Sequence, residues 1–299
     1  MIAQGILEEP LDRMGARLMA APGLADFDYA KPAGAPALVG PDSVSWQIFK
    51  NPVALFVGGV AAVLLELAEP AVRSGVWEHS SFRREPVPRL QRTGAAAMMT
   101  VYGPSEAARR MIAGVVRRHE AVEGATPAGE AYRANDPKLL DWVQATATFG
   151  FAGAYDRYVR PLGPSGLDRA FAEAEPAARL YGATGAPRSW AEWESALERM
   201  RDRLEPSPIV DEFLGIMRDA PALPRVMRPL QRLMIRGAVD LLPGWVRDRL
   251  WLSQAGLRRG EAWLLQRAAG LADRIVLRSA PPAQSSLRLG LPADYLYKS

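Results

Sequence analysis

Apolar residues recur mostly at helical spacing along this chain, and period-two alternation over a strand's length is hard to find. The pattern predicts a helix from about Pro52 to Ala68, stopped by Pro70, and a short helix from Pro70 to Trp77. Pro86 and Pro88 open the next, RLQRTGAAAMMTVYG, which Gly103-Pro104 breaks. Pro104 suits the first turn of a helix running to about Val122. EGATPAGEAYRANDP reads as a loop. Asp136 then offers a capping carboxylate before Pro137 at the first helical position, and Pro161 ends the helix so begun.

The second half continues in the same way. Ser189 with Glu192 fits a capping box, and Ser165 with Asp168 does so more loosely. Helices are expected near 165–181, 190–204, 208–218, 224–240 and 258–278. ADRIVLRS is the best strand candidate and reads equally as a helix end. Residues 21–42, rich in Pro, Gly and Ala, predict an extended arm, and the last twenty, with Pro281, Pro282 and Pro292, an extended tail. No repeat with a period of 20–50 residues is visible. The expected architecture is all-α: an N-terminal arm over 1–42, a single helical domain over 43–279 and a C-terminal tail over 280–299.

Composition narrows the chemistry. The chain has 299 residues, 48% of them hydrophobic and 23% charged, enough to bury a sizeable core. It contains no cysteine, which removes disulfides, zinc–thiolate sites, iron–sulfur clusters, thiolate haem and cysteine nucleophiles together. The net charge is +4, carried almost wholly by arginine, without a basic block interleaved with aromatics, so nucleic acid is not an expected partner. The most apolar stretch, PVALFVGGVAAVLLELAEP, falls short of the roughly 20 uninterrupted apolar residues of a membrane span, and reads as a core helix. The N-terminus carries acids and no long apolar run, so it does not read as a signal peptide, and a cytoplasmic location is expected. There is no G-x-S-x-G elbow, P-loop or dinucleotide fingerprint.

Only two histidines occur, His79 and His119. His119 lies in VVRRHEAVEG, on the same helical stripe as Ala108, Met111, Ile112, Val115 and Val122, while Arg109, Arg110, Arg117 and Arg118 lie mainly off it. Its imidazole should therefore point inward, where each ring nitrogen needs a partner. Position alone favours a core histidine bonded to a carbonyl or carboxylate over a metal ligand. On the preceding helix Arg89, Arg92 and Thr93 share one face at i, i+3 and i+4, with the small Ala96 and Ala97 a turn further on. Such a face suits a flat anionic ligand such as haem with its propionates. Periodicity alone favours a solvated arginine face or an arginine–carboxylate pair between helices.

Four segments occur in order over residues 67–146: LAEPAVRSGVWEHSSFRREPVPRLQRT, VYG, VVRRHEAVEG and AYRANDPKLLDWVQAT. Together they resemble the DUF2236 family, which includes the MpaB-type oxygenases and, more distantly, the rubber oxygenases (latex clearing proteins). YVRPLGPSGLDRAFAEAEPAARLYGA is similar too, so the likeness spans roughly residues 45–250. The resemblance implies an all-α fold with a globin-related core holding a b-type haem. It implies His119 as the proximal iron ligand and Arg89, Arg92 and Thr93 as the lining of the haem environment. Dioxygen and a hydrophobic substrate, such as an alkene in an isoprenoid-like chain, would be the reactants. The chain departs from the pattern at Gln144, where many members carry histidine. The distal lysine and glutamate base of the rubber oxygenases have no placed counterpart, Lys50 having no motif around it. Cleavage of an extracellular polymer is not expected.

His79, in WEHSSF, could serve as a distal residue, a second axial ligand or a structural donor. If it met His119 at one iron, a carboxylate could complete a non-haem site of two histidines and one acid. A rival of another class is a binder of haem or another apolar ligand without turnover, with DWVQATATFGFAGAYDRYV lining the pocket. Contact with a membrane surface, suggested by the apolar stretch and the positive balance, ranks last.

Overall fold

The computed structural model describes residues 27–298. Among them run thirteen α-helices in chain order: α1 (Val44–Phe49), α2 (Pro52–Ala68), α3 (Pro70–His79), α4 (Pro86–Tyr102), α5 (Ser105–His119), α6 (Pro137–Tyr158), α7 (Gly163–Tyr181), α8 (Trp190–Arg199), α9 (Pro208–Asp219), α10 (Arg228–Leu241), α11 (Gly244–Arg249), α12 (Glu261–Ala272) and α13 (Pro281–Arg288). The fold is a single all-α domain. A two-stranded hairpin, β1 (Glu123–Ala125) and β2 (Ala131–Arg133), lies between α5 and α6.

The helix starts follow the local chemistry. Asn51 accepts from the amides of Val53 and Ala54, at 3.0 Å each, with Pro52 in the first turn of α2. Glu69 closes α2 and, with its carboxylate on the Val72 amide, opens α3, so the two helices meet at 111°. Asp136 caps α6 before Pro137, as its sequence predicts. Ser189 accepts from the Glu192 amide, but Ser165 caps nothing; α7 begins at Gly163, and Asp168 accepts from Trp190 N instead.

The core centres on α2 against α6. The backbones approach so closely that a Cβ on Gly58 would stand 2.5 Å from the Gly150 carbonyl oxygen. Around this pair pack α7, α9, α10 and α12, burying Leu64, Tyr155, Phe213, Met234 and Leu265 in one apolar cluster. The apolar stretch of α2 is thus a core helix. No single helix among the described residues is long and apolar enough to cross a membrane.

Three expectations need correction. EGATPAGEAYRANDP forms the hairpin, with Gly129 at φ +84° in its turn. ADRIVLRS forms no strand and is the helix end that its sequence also allows: α12 stops at Ala272 and the chain leaves in turns. The tail is not extended throughout, because Pro281 and Pro282 occupy the first turn of α13, where proline costs no hydrogen bond. That helix buries Ser285, Ser286 and Arg288 against α4 and the arm. Of the N-terminal arm, residues 1–26 lie outside the described residues, and 27–42 carry turns and no helix.

Candidate active site

α4 rests on α5, α1 and α13, but not broadly on α2 or α6. The face of α4 carries small residues: Ala96 and Ala97 are half-buried, and Gly94 is exposed, with open space where a Cβ would stand. On α2, Leu55, Gly59, Val63 and Glu66 recur at helical spacing and are all half-buried. Leu55 packs against the apolar cluster that includes Met98, Met99 and Tyr102 of α4. Polar groups gather at the other end of this row.

There Glu66 of α2 stands near Arg89 of α4, and its Oε1 lies 3.5 Å from the Thr146 hydroxyl of α6. Burial pushes the Glu66 carboxyl up to about 7, against the opposing pull of Arg89 and of the Thr146 hydrogen bond. Arg89 is itself lowered by burial, with Glu66 opposing and Arg92 reinforcing the shift. Its guanidinium donates to Thr93 Oγ1, and the Thr93 hydroxyl donates to the Arg89 carbonyl at 3.0 Å. The face shared by Arg89, Thr93 and Arg92 is therefore real, with Thr93 exposed and the two arginines half-buried. Across helices the charge of Arg89 acts on Glu66 without a direct ion pair between them among the described residues.

His119 is the last residue of α5, three short of the predicted end. It is half-buried at the foot of the stripe formed by Ala108, Met111, Ile112 and Val115. Its Nδ1 is buried without a hydrogen-bond partner. Burial lowers its pKa first, then the positive charges of Arg118 and Arg89. The hairpin braces this helix end: Asn135, just after β2, donates to the Val116 carbonyl at 3.2 Å. Arg89 acts on both Glu66 and His119, so the three belong to one electrostatic neighbourhood.

The other candidates fall outside it or at its edge. Arg92 donates to Ser81 Oγ at 2.8 Å and so ties the α3–α4 loop to α4. His79, on that loop's approach, is exposed at the end of α3. Among the described residues no three His, Asp or Glu side chains stand close enough to hold a metal ion, so the two-histidine, one-acid site has no geometric support. Lys50 is buried elsewhere, paired with Asp273 at 3.1 Å and donating to the Leu296 carbonyl. Gln144 lines a small cavity between α6 and α7 and donates to Thr148.

Residues 46–274 match the family described as ER-bound oxygenase mpaB/B'/Rubber oxygenase, catalytic domain. The chain belongs to this oxygenase family. The match covers every helix from α2 to α12 and thus the whole polar cluster. No curated protein and no solved structure matches the chain. What sequence reasoning missed in this mpaB/rubber oxygenase domain is Glu66. Its one signal was a carboxylate at the end of an otherwise apolar helix, which reads first as a helix terminus.

Proposed function

We propose that this family member is a haem b-dependent oxygenase that uses dioxygen on a hydrophobic small molecule, with His119 as the axial ligand. The observation that carries the reading is the His119 imidazole: a half-buried ring, held neutral by burial and two arginines, with a nitrogen that no protein group satisfies. A neutral imidazole with a free lone pair is the form that binds iron. The residues present fit the group. His119 would supply the axial bond, and Arg89, with Arg92 at the edge of the cluster, would pair with the propionate carboxylates. When bound, the haem supplies dioxygen activation, which no side chain here can provide.

The chain's own side chains do the rest. Gly59 and Val63 of α2 and Ala96 and Ala97 of α4 are half-buried apolar positions beside the polar cluster, and a hydrophobic substrate would lie against them. Glu66, with a pKa of about 7, exchanges a proton at neutral pH and suits general acid–base work on substrate bound beside it. The charge of Arg89 favours the ionised form of Glu66, and Thr93 holds Arg89.

The test is an absorption spectrum of protein expressed with iron and a haem precursor, beside His119→Ala. The expected result is a Soret band in the parent that is lost or shifted in the variant. Folded parent protein with neither a Soret band nor iron would overturn the oxygenase reading and leave a binder of apolar ligands.

A further inference from the structure

Helix α12 is apolar on two sides and covered on one. Leu265 and Ala269 are fully buried against α2, α6 and α10. On the far side Trp263, Leu264 and Leu271 are 57%, 51% and 65% exposed. At the helical advance of about 100° per residue these three and Arg267 share an arc of about 100° facing solvent. A helix apolar all round belongs in an interior, and a surface helix should turn polar residues outward. The clustering is local: five of the seven exposed large apolar side chains among the described residues lie between Trp251 and Ile275.

The charges on this stretch that form no ion pair have one sign. Arg267 lies over the Trp263 ring at 5.3 Å, and Arg274 follows one turn past Leu271. Neither these two nor Arg259 and Arg278 on the flanks form an ion pair among the described residues. The acids nearby are engaged, Glu261 by Arg236 and Asp273 by Lys50. Exposed tryptophan and leucine interleaved with free arginines match the boundary between acyl chains and anionic headgroups, where the indole lies in the interface and the guanidinium reaches phosphate. A second copy of the chain fits less well, because a two-fold contact through this face would set arginine against arginine.

We propose that the solvent face of α12 docks the protein on an anionic phospholipid surface. Docking is superficial, since no single helix here can span a bilayer. Each arginine near such a surface strengthens partitioning roughly fivefold. The test is sedimentation of the full chain with unilamellar vesicles of phosphatidylcholine alone or with about one-third phosphatidylglycerol. The parent should pellet with the anionic vesicles and stay in solution with the neutral ones. Trp263→Ala/Leu271→Ser should cut the bound fraction at least about tenfold, the order expected from the apolar area removed. Arg267→Glu/Arg274→Glu should lower it by a similar factor and abolish the lipid preference. Circular dichroism should show both variants folded, because all four side chains are exposed. Failure of the parent to pellet with anionic vesicles, or equal pelleting of the parent and both folded variants, overturns the proposal. So does a concentration-dependent dimer that Leu271→Ser dissociates without any vesicle binding, which would assign the face to a second copy.

Discussion

Glu66 carries the largest carboxylate perturbation in the candidate site, and its sign makes a stability prediction. The folded state holds this proton more tightly than an ordinary carboxylate of 4.5, with a pKa of about 7. Stability from this source is complete below about pH 4.5 and drains away as the pH rises through 7. At pH 8 the folded protein carries a half-buried charge that costs on the order of 2 kcal/mol. Glu66→Gln removes the titration and leaves the shape. Urea denaturation should find parent and variant alike at pH 4.5 and the variant more stable by about 2 kcal/mol at pH 8. Equal midpoints at both pH values would show that Glu66 is solvated. The sequence shows the carboxylate but not this environment, because its partners Arg89 and Thr146 come from α4 and α6, 23 and 80 positions along the chain. His119 was more legible. Its place on an apolar stripe follows from spacing within one helix, whereas its unpartnered Nδ1 depends on the packing around the end of α5.

At the scale of elements, legibility followed the range of the interactions that set each boundary. The starts of α6 and α8 rest on Asp136 and Ser189, which bond to amides two and three residues on, and both were predictable. The Ser165–Asp168 box failed because Asp168 is taken by Trp190, a tertiary partner. The hairpin is only three residue pairs long, too short for an alternating pattern to register. Pro281-Pro282 read as helix breakers because their place in a first turn cannot be known without the helix that follows. Gly58 reads as neutral within α2 and is the reason α2 and α6 can meet. Gly58→Ala would put a methyl 2.5 Å from the Gly150 carbonyl oxygen and 2.8 Å from the Phe151 Cα. Backbone atoms cannot swing aside as a side chain can, so the two helices must part. The cost should lie at the upper end of overpacking, about 3 kcal/mol. Gly94→Ala, where the methyl meets open space, should be neutral or slightly stabilising through helix propensity. Thermal denaturation of the two variants side by side checks the contrast, and a Gly58→Ala protein as stable as the parent would refute the close approach.

Across the whole molecule, the segment around residues 29–35 and the described C-terminal segment are fastened to the core by buried cations with few countercharges. Arg288, 2% exposed, donates to the carbonyls of Ala35, Tyr29 and Tyr102 and so joins α13, the arm and the end of α4. Lys50, between α1 and α2, reaches the Leu296 carbonyl and the Asp273 carboxylate beyond α12. Burial lowers the Lys50 pKa, and Asp273 is the main group that opposes this. Removing Asp273's charge leaves a side chain with 2% exposure carrying an ammonium without a counterion. Breaking a buried pair from one side costs about 3–5 kcal/mol, more than a surface pair ever returns. Asp273→Asn should therefore lose about 3 kcal/mol at pH 7. The loss should shrink as the pH rises, because a lysine whose folded-state pKa is depressed sheds its proton more readily in the folded chain, and the penalty of the buried charge goes with it. Urea titrations at pH 7 and pH 9.5 measure this directly. A deficit that stays constant across that range would mean that Asp273 acts through its hydrogen bonds to Asn51 and Tyr155, which asparagine could partly keep, and not through the charge of Lys50.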